Sequence, residues 1–273
     1  MIATAPAADR DPSPWRLDGE LPRLTLRKEA GGRTAIIALF SKRKAVVPQT
    51  TMRPCMDVPI DHESTRPMAM LEAQDISARR GLTRLFAGLS FTVQAGEALV
   101  ITGANGTGKT TLLRMLAGLS APASGTISWR GQPLRPFDPT LRSALAFAGH
   151  LPALKDELTA EENLSSLVAL SQVDADPERV RAALDEVALG RQRHLPARVL
   201  SQGQRRRIGL ARLALLNRML WLLDEPMTSL DAAGAALLAR LIGEHVGHGG
   251  IAVAATHTAI DLADARVRTL ALS

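Results

Sequence analysis

Residues Gly103 to Thr110 read G-A-N-G-T-G-K-T, a G-x-x-x-x-G-K-T loop, and this stretch constrains the fold more than any other. The apolar run Ala98-Leu99-Val100-Ile101 before it has strand character, and Thr111 to Leu116 after it has helix character. A strand, a glycine-rich turn and a helix start in that order make a phosphate cradle. Backbone N–H groups point inward, the helix N-terminus adds positive dipole, a lysine reaches the β/γ-phosphates and a hydroxyl can ligate Mg²⁺. Gly103, Asn105, Gly106, Gly108, Lys109, Thr110 and Thr111 are therefore candidate nucleotide-binding residues, with Thr110 also a metal ligand. The loop specifies a nucleoside triphosphate and leaves open what its binding drives.

The chain divides into two unlike parts. Residues 1–67 hold eight of the 16 prolines and the single cysteine, Cys55. Periodicity there is poor, with only Ala35 to Phe40 suggesting an ordered piece, so the segment reads as a disordered or mis-called extension. From residue 68 the pattern is regular. Met70 to Ser77 and Gly88 to Val93 alternate as antiparallel strands. Buried strands are expected at 97–102, 143–148, 220–223 and 251–255, and a further strand at 125–129. Helices are expected at 110–119, at 159–190 as a pair, the first opened by a capping box at Thr159 and the second by Pro177 and ending at Gly190, and at 201–216, 232–243 and 259–263. Strands alternating with helices imply an α/β fold with a mainly parallel sheet.

Several function classes recede. A net charge of +6 over 273 residues is mild and forms no basic stripe. Aromatics make up 3%, with no tyrosine, which leaves few platforms for stacking bases, so nucleic acid is not an expected partner. One cysteine rules out a disulfide within the chain and fits a reducing compartment. No apolar run approaches the roughly 20 residues that span a bilayer, and the start lacks a basic region followed by an apolar core.

Two more stretches carry chemistry. Leu220-Trp221-Leu222-Leu223-Asp224-Glu225 reads as a buried strand with two acids at its C-terminal end, where ligands bind in open α/β sheets. Asp224 suits a metal site and Glu225 suits polarising a water. Leu200-Ser201-Gln202-Gly203-Gln204 sets a serine at a helix start beside a glycine, a second anion site. Arg205, Arg206 and Arg207 after it read as a solvated helix face.

Together these motifs resemble the ATP-binding subunits of ABC transporters, over nearly all of residues 70–273. Gly103 to Thr110 looks like Walker A. Leu200 to Gln204 looks like the signature motif, with Gln202 where glycine is commonest. Leu220 to Glu225 looks like Walker B with its catalytic glutamate, Ser229-Leu230-Asp231 like the D-loop and His257 like the switch histidine. The resemblance implies a P-loop NTPase of ABC type, with a mainly parallel core sheet, an antiparallel β subdomain and a helical insertion at about 150–200. It implies ATP and Mg²⁺ as ligands and a head-to-tail pair of copies. In that pair Ser201, Gly203, Gln204 and Asp231 of one copy would meet nucleotide held by the other. Lys109, Glu225 and His257 would be catalytic.

Two positions depart from the family: His150 stands where a glutamine is usual, and Arg80 where an aromatic stacks on adenine. Arg80 can offer its guanidinium plane instead. Gly149 to Leu164, with Leu85 to Phe91 and Trp129-Arg130-Gly131, is similar to the ATPases of bacterial cytochrome c maturation. That branch implies integral membrane permease subunits on the cytoplasmic face of the inner membrane, and hydrolysis coupled to heme delivery or release on a periplasmic carrier. The chain has no C-x-x-C-H motif, and His245 and His248 read as surface residues, so direct heme binding is not expected. Export of a drug, lipid or lipoprotein, a soluble nucleotide switch, and a small-molecule kinase are the alternatives.

Overall fold

The computed structural model describes residues 70–150, 152–258, 260, 262 and 266–272. The extension at 1–67, the apolar piece at 35–40 and residues 259, 261 and 263 of the expected last helix lie outside the described residues. In chain order, β1 (Leu71–Arg80), β2 (Thr83–Val93) and β3 (Glu97–Thr102) lead into α1 (Lys109–Leu116). Next come β4 (Ser124–Trp129), the short β5 (Gln132–Pro133), α2 (Pro139–Ala144) and β6 (Leu145–Ala148). Three helices follow: α3 (Ala160–Leu170), α4 (Pro177–Glu186) and α5 (Gln202–Leu216). Then β7 (Leu220–Asp224), α6 (Ala232–Gly247), β8 (Ile251–Ala255) and β9 (Arg266–Ala271) close the series.

The strands form two sheets. One is parallel throughout, in the order β6-β7-β8-β3-β9; the other is antiparallel, in the order β2-β1-β4-β5. This is the expected α/β arrangement. The central parallel strands β3, β7 and β8 are buried on both faces, as crossover helices require. Their two faces differ in size. Leu99 and Ile101, Leu220 and Leu222, and Ile251 and Val253 pack with Leu112, Leu113 and Leu116 of α1 and with the antiparallel sheet. Ala98, Ala146, Ala252 and Ala254 face the other way, with Leu238, Leu241 and Ile242 of α6 and Ile208 and Leu213 of α5. Alanines predominate on that face, and β7 adds Trp221 and Leu223 to it. Each fully buried leucine contributes about 2 kcal/mol.

Local signals set the helix ends. Thr159 and Glu162 form the capping box expected at the start of α3. Asp176 caps α4 and Pro177 sits at its first position. α3 and α4 are the two helices expected within 159–190, but α4 stops at Glu186 rather than at Gly190, which begins a separate single turn of 3₁₀ helix. α2 is unforeseen, although Asp138 caps it and Pro139 opens it in the usual way. It shortens the strand expected at 143–148 to Leu145–Ala148.

His245 corrects an expectation. It is half-buried, with its ring stacked on Trp221 at 4.0 Å and 5° between planes, and its Nε2 lies 3.2 Å from the Ile251 carbonyl. His248 is exposed, as expected. The stack is possible because Gly250 leaves the space: a Cβ there would lie 2.2 Å from the His245 ring. Burial pushes the imidazole pKa below its ordinary 6.5. The unfolded chain therefore takes up a proton first as pH falls. The stabilisation is complete above 6.5 and is lost as pH falls from there through the lowered native value. His245→Phe, which keeps the stack and removes the titration, is expected to flatten the fall in urea midpoint between about pH 7.5 and about pH 5.5. An unchanged pH slope would assign that fall to other groups.

Candidate functional site

The register of the parallel sheet brings the loop ends together. Ile101, Ala255 and Asp224 are aligned across β3, β8 and β7. The glycine loop leaves β3 just beyond Ile101, Glu225 follows β7 and His257 follows β8. All three emerge at the carboxyl edge of the sheet, where an open α/β fold places its ligand.

α1 starts without a cap. Its N-cap residue is Gly108, at φ 103°, with no side-chain bond and no acid in the first turn. The first amide groups of α1 are thus left to a ligand, and an anion suits both the donors and the dipole. Only glycine fits at Gly103, where a Cβ would meet the Leu272 carbonyl oxygen at 2.5 Å. Gly108 is similarly constrained, with Leu85 and the Phe86 ring 3.1–3.2 Å from a Cβ built there.

A cleft of about 600 Å³ opens over this loop, lined by Arg79, Arg80, Leu85, Asn105, Gly106, Gly108, Lys109, Thr110, Thr111, Arg114 and Glu225. Four of these residues are cations and one is an anion, so the field favours a polyanion. Lys109 is buried, and its Nζ donates to the carbonyls of Gly103 at 2.8 Å and Ala104 at 3.2 Å. Glu225 Oε1 lies 3.8 Å from that ammonium. The other oxygen, Oε2, lies 2.8 Å from His257 Nδ1. Glu225 also sits at φ 48°, an uncommon conformation for a glutamate. Thr110 Oγ1 donates to Asp224 Oδ1 at 3.1 Å, so the hydroxyl and the buried carboxylate already face each other.

The signature stretch does not line the cleft. Ser201 Oγ accepts from the Gln204 N–H at 3.2 Å, and Gln204 Oε1 accepts from the Ser201 N–H at 2.9 Å, a complete capping box on α5. The amides of Gln202 and Gly203 have no part in that box. A Cβ on Gly203 would stand 3.0 Å from the Ser229 carbonyl. Asp231 caps α6 through the Gly234 N–H at 2.8 Å and pairs with Arg207 at 2.9 Å. That N–H and the Arg207 guanidinium hold its carboxyl below the usual range. Arg80 ends β1 and lines the cleft. His150 follows β6 with its side chain exposed and outside the cleft lining.

The arginine run is not a solvated face. Arg206 is 9% exposed, and its guanidinium donates to the backbone carbonyls of Gly149, His150, Asp224 and Glu225. Arg205 and Arg207 are largely covered and pair with Asp156 and Asp231. The signal was available: positions 206, 210 and 213 are spaced as one helix face, and all three are buried. Arg114, another residue overlooked, lies one turn beyond Thr110 on the same face of α1. Arg79 and Leu85 of the β1–β2 hairpin were likewise missed.

A second concavity, of about 310 Å³, lies beside the link made by Arg206. Its lining is mainly apolar, including Phe147, Pro152, Leu167 and Leu210, with Arg206 and Arg212 as its charges. Burial lowers the pKa of both guanidinium groups.

Comparison with known proteins shows the family and agrees with the fold. Residues 86–228 match the ABC transporter family. The cytochrome c biogenesis ATP-binding export protein CcmA of Nitrosospira multiformis is 45% identical over 206 residues, 76% of this chain and 100% of the relative. Its counterpart in Nitrosococcus oceani is 48% identical over 196 residues, 72% of this chain and 89% of the relative. Among solved structures, the dimeric ATP-binding cassette MJ0796 bound to ADP and Pi superposes with a TM-score of 0.61 at 22% identity, covering 69% of this chain and 88% of that one.

Lys109→Ala removes the cation at the floor of the cradle. Nucleoside triphosphate affinity is expected to fall by about tenfold or more, since hydrogen bonds to charged groups contribute about 1.5–3 kcal/mol. Titration with a fluorescent ATP analogue checks this, and unchanged affinity would contradict the cradle assignment.

Proposed function

The chain belongs to the ABC transporter family of ATP-hydrolysing proteins, in the branch of the cytochrome c biogenesis ATP-binding export proteins, and from that membership we propose that it is the ATPase subunit of a membrane complex for c-type cytochrome biogenesis. Hydrolysis would be coupled to heme delivery or release on a periplasmic carrier. The observation that carries the mechanistic part is the Lys109–Glu225–His257 cluster at the mouth of the phosphate loop.

ATP would lie in the cleft with its phosphates on the free amides of Gly106, Gly108 and α1. Lys109 would exchange its carbonyl partners for phosphate oxygens. Arg80 offers a guanidinium plane to the base where an aromatic is usual. Thr110 and Asp224 fit Mg²⁺: one hydroxyl and one carboxylate, with phosphate oxygens and waters for the rest, suit a small hard cation. Among the described residues no group of three or more metal-binding side chains competes for that role. The bound ion would neutralise phosphate charge in the usual way.

Glu225 would accept a hydrogen bond from the attacking water and orient it for in-line displacement. His257, bonded to the same carboxylate, would fix its orientation and reach towards the terminal phosphate. The protein's contribution is positioning and electrostatics rather than covalent chemistry.

Ser201 and Gly203 lie outside the cleft, so their role requires a second copy. Two copies paired head to tail would each complete the other's site through the start of α5 and Asp231. Gln204 and Ser201 would open their mutual cap, or donate from the serine O–H, to meet the phosphate. His150 would report on water or metal from the end of β6. No helix among the described residues is long and apolar enough to cross a membrane, so the membrane step would fall to permease subunits. These would dock on the α3–α4 layer and the neighbouring apolar groove, on the cytoplasmic face of the inner membrane.

Glu225→Gln is expected to bind ATP normally and to hydrolyse it about 10²- to 10⁴-fold more slowly, the usual contribution of a positioned base. Normal turnover would remove Glu225 from that role. The biological reading is tested by capturing the tagged Glu225→Gln protein from solubilised membranes with ATP and identifying its partners by mass spectrometry. Heme-handling membrane subunits are expected; an unrelated permease would keep the ATPase and overturn the branch-specific function.

A further inference from the structure

The mechanism above leaves one buried charge unused. Arg206 lies in the second turn of α5, the helix capped by Ser201, and reaches into the ends of two strands. Its Nη1 donates to the carbonyls of Gly149, at 3.3 Å, and His150, just after β6. Its Nη2 donates to the carbonyls of Asp224, at 3.2 Å, and Glu225, at the end of β7. Among the described residues no carboxylate comes within ion-pair distance of it. A guanidinium taken from water without a paired anion costs stability, and an apolar side chain would fill the position at lower cost. What the guanidinium adds is geometry: a planar fork of donors that bonds several acceptors at once.

The acceptors are telling. They are main-chain oxygens of the segments that carry His150, the acid Asp224 and the carboxylate Glu225. Glu225 is in the left-handed region at φ 48°, held on one side by its N–H to the Ala255 carbonyl at 2.8 Å and on the other by Arg206 at its own carbonyl. Such a conformation persists only where its surroundings fix it.

We infer that Arg206 is a positioning residue that ties the helix bearing Ser201 to the backbone bearing Glu225, so that contact of α5 with the nucleotide of one copy sets the carboxylate geometry at the nucleotide of its own copy. This rests on the paired-copy reading above. Movement of α5 as a rigid helix carries Arg206 with it. Because Arg206 grips both strand ends, β6 and β7 follow together and the two ATP sites of a pair are coupled.

Steady-state ATPase titrations of full-length wild type, Arg206→Gln and Arg206→Lys, with binding of a fluorescent ATP analogue and thermal unfolding of each, test this. Glutamine keeps one donor but cannot span the four carbonyls; lysine keeps the charge without the fork. The expected result is a kcat lower by about a hundredfold in Arg206→Gln, the scale of a misplacement near 1 Å. ATP affinity and KM should stay near wild type, and the Hill coefficient should fall towards unity. Arg206→Lys should recover part of kcat and little of the cooperativity.

Wild-type kcat and Hill coefficient in folded variants would overturn the inference and leave the ATPase reading intact. Activity that falls only with the folded fraction, or loss of folding in both variants, would make Arg206 a stability residue and overturn it too. Absence of turnover in wild type would refute the ATPase reading and this inference with it.

Discussion

The parallel pairing of β3, β8 and β7 is the constraint from which the site follows. These strands are only five or six residues long and buried on both faces, so their register is fixed by packing. A slip of one residue would turn Leu220 and Leu222 towards the helices and Trp221 towards α1. Because the strands end level, the glycine loop, Glu225 and His257 meet without any long connection. The geometry of the candidate site is thus a consequence of where three apolar runs stop.

Electrostatics then divide the labour. Four cations around one carboxylate make a cleft that attracts phosphate, and Lys109 waits on backbone carbonyls that phosphate oxygens can replace. The uncapped start of α1 and the fully capped start of α5 are complementary cases. One leaves its first amides without a side-chain cap, and the other satisfies its own through Ser201 and Gln204. Arg206 joins the second helix to the backbone that carries Glu225, at the cost of burying a guanidinium with no carboxylate at ion-pair distance among the described residues.

Much of this was legible in the sequence, for identifiable reasons. The phosphate loop, the acid-ended strand and the helix caps are local signals, and local signals survive folding. The parallel sheet followed from strands that alternate with helices, and the antiparallel one from the period-two alternation at 70–77 and 88–93 and from the family resemblance. What escaped were features decided by distant partners. Arg206 reads as solvated beside Arg205 and Arg207, and only the strand ends packed against α5 supply its acceptors. His245 lies near a helix end and reads as surface until Gly250 and Trp221 make room for its ring. β9 is an exposed edge strand whose apolar residues, Val267 and Leu270, are three apart, so it shows no period-two face. The second cation layer of the cleft, Arg79 and Arg114, comes from two elements that meet only in the fold.

The central claim is that α5 of one copy completes the nucleotide site of another. The most direct measurement mixes two single-cysteine proteins, Ser201→Cys and Asn105→Cys, each with Cys55 replaced by serine and Glu225 by glutamine, and applies mild oxidation with and without ATP. Because the cysteines are on different chains, only an intermolecular approach can link them. A covalent heterodimer that forms with ATP and not without it is the result the account predicts. If no such dimer forms under ATP, while each protein still binds nucleotide, the paired site and the roles assigned to Ser201 and Gly203 are wrong.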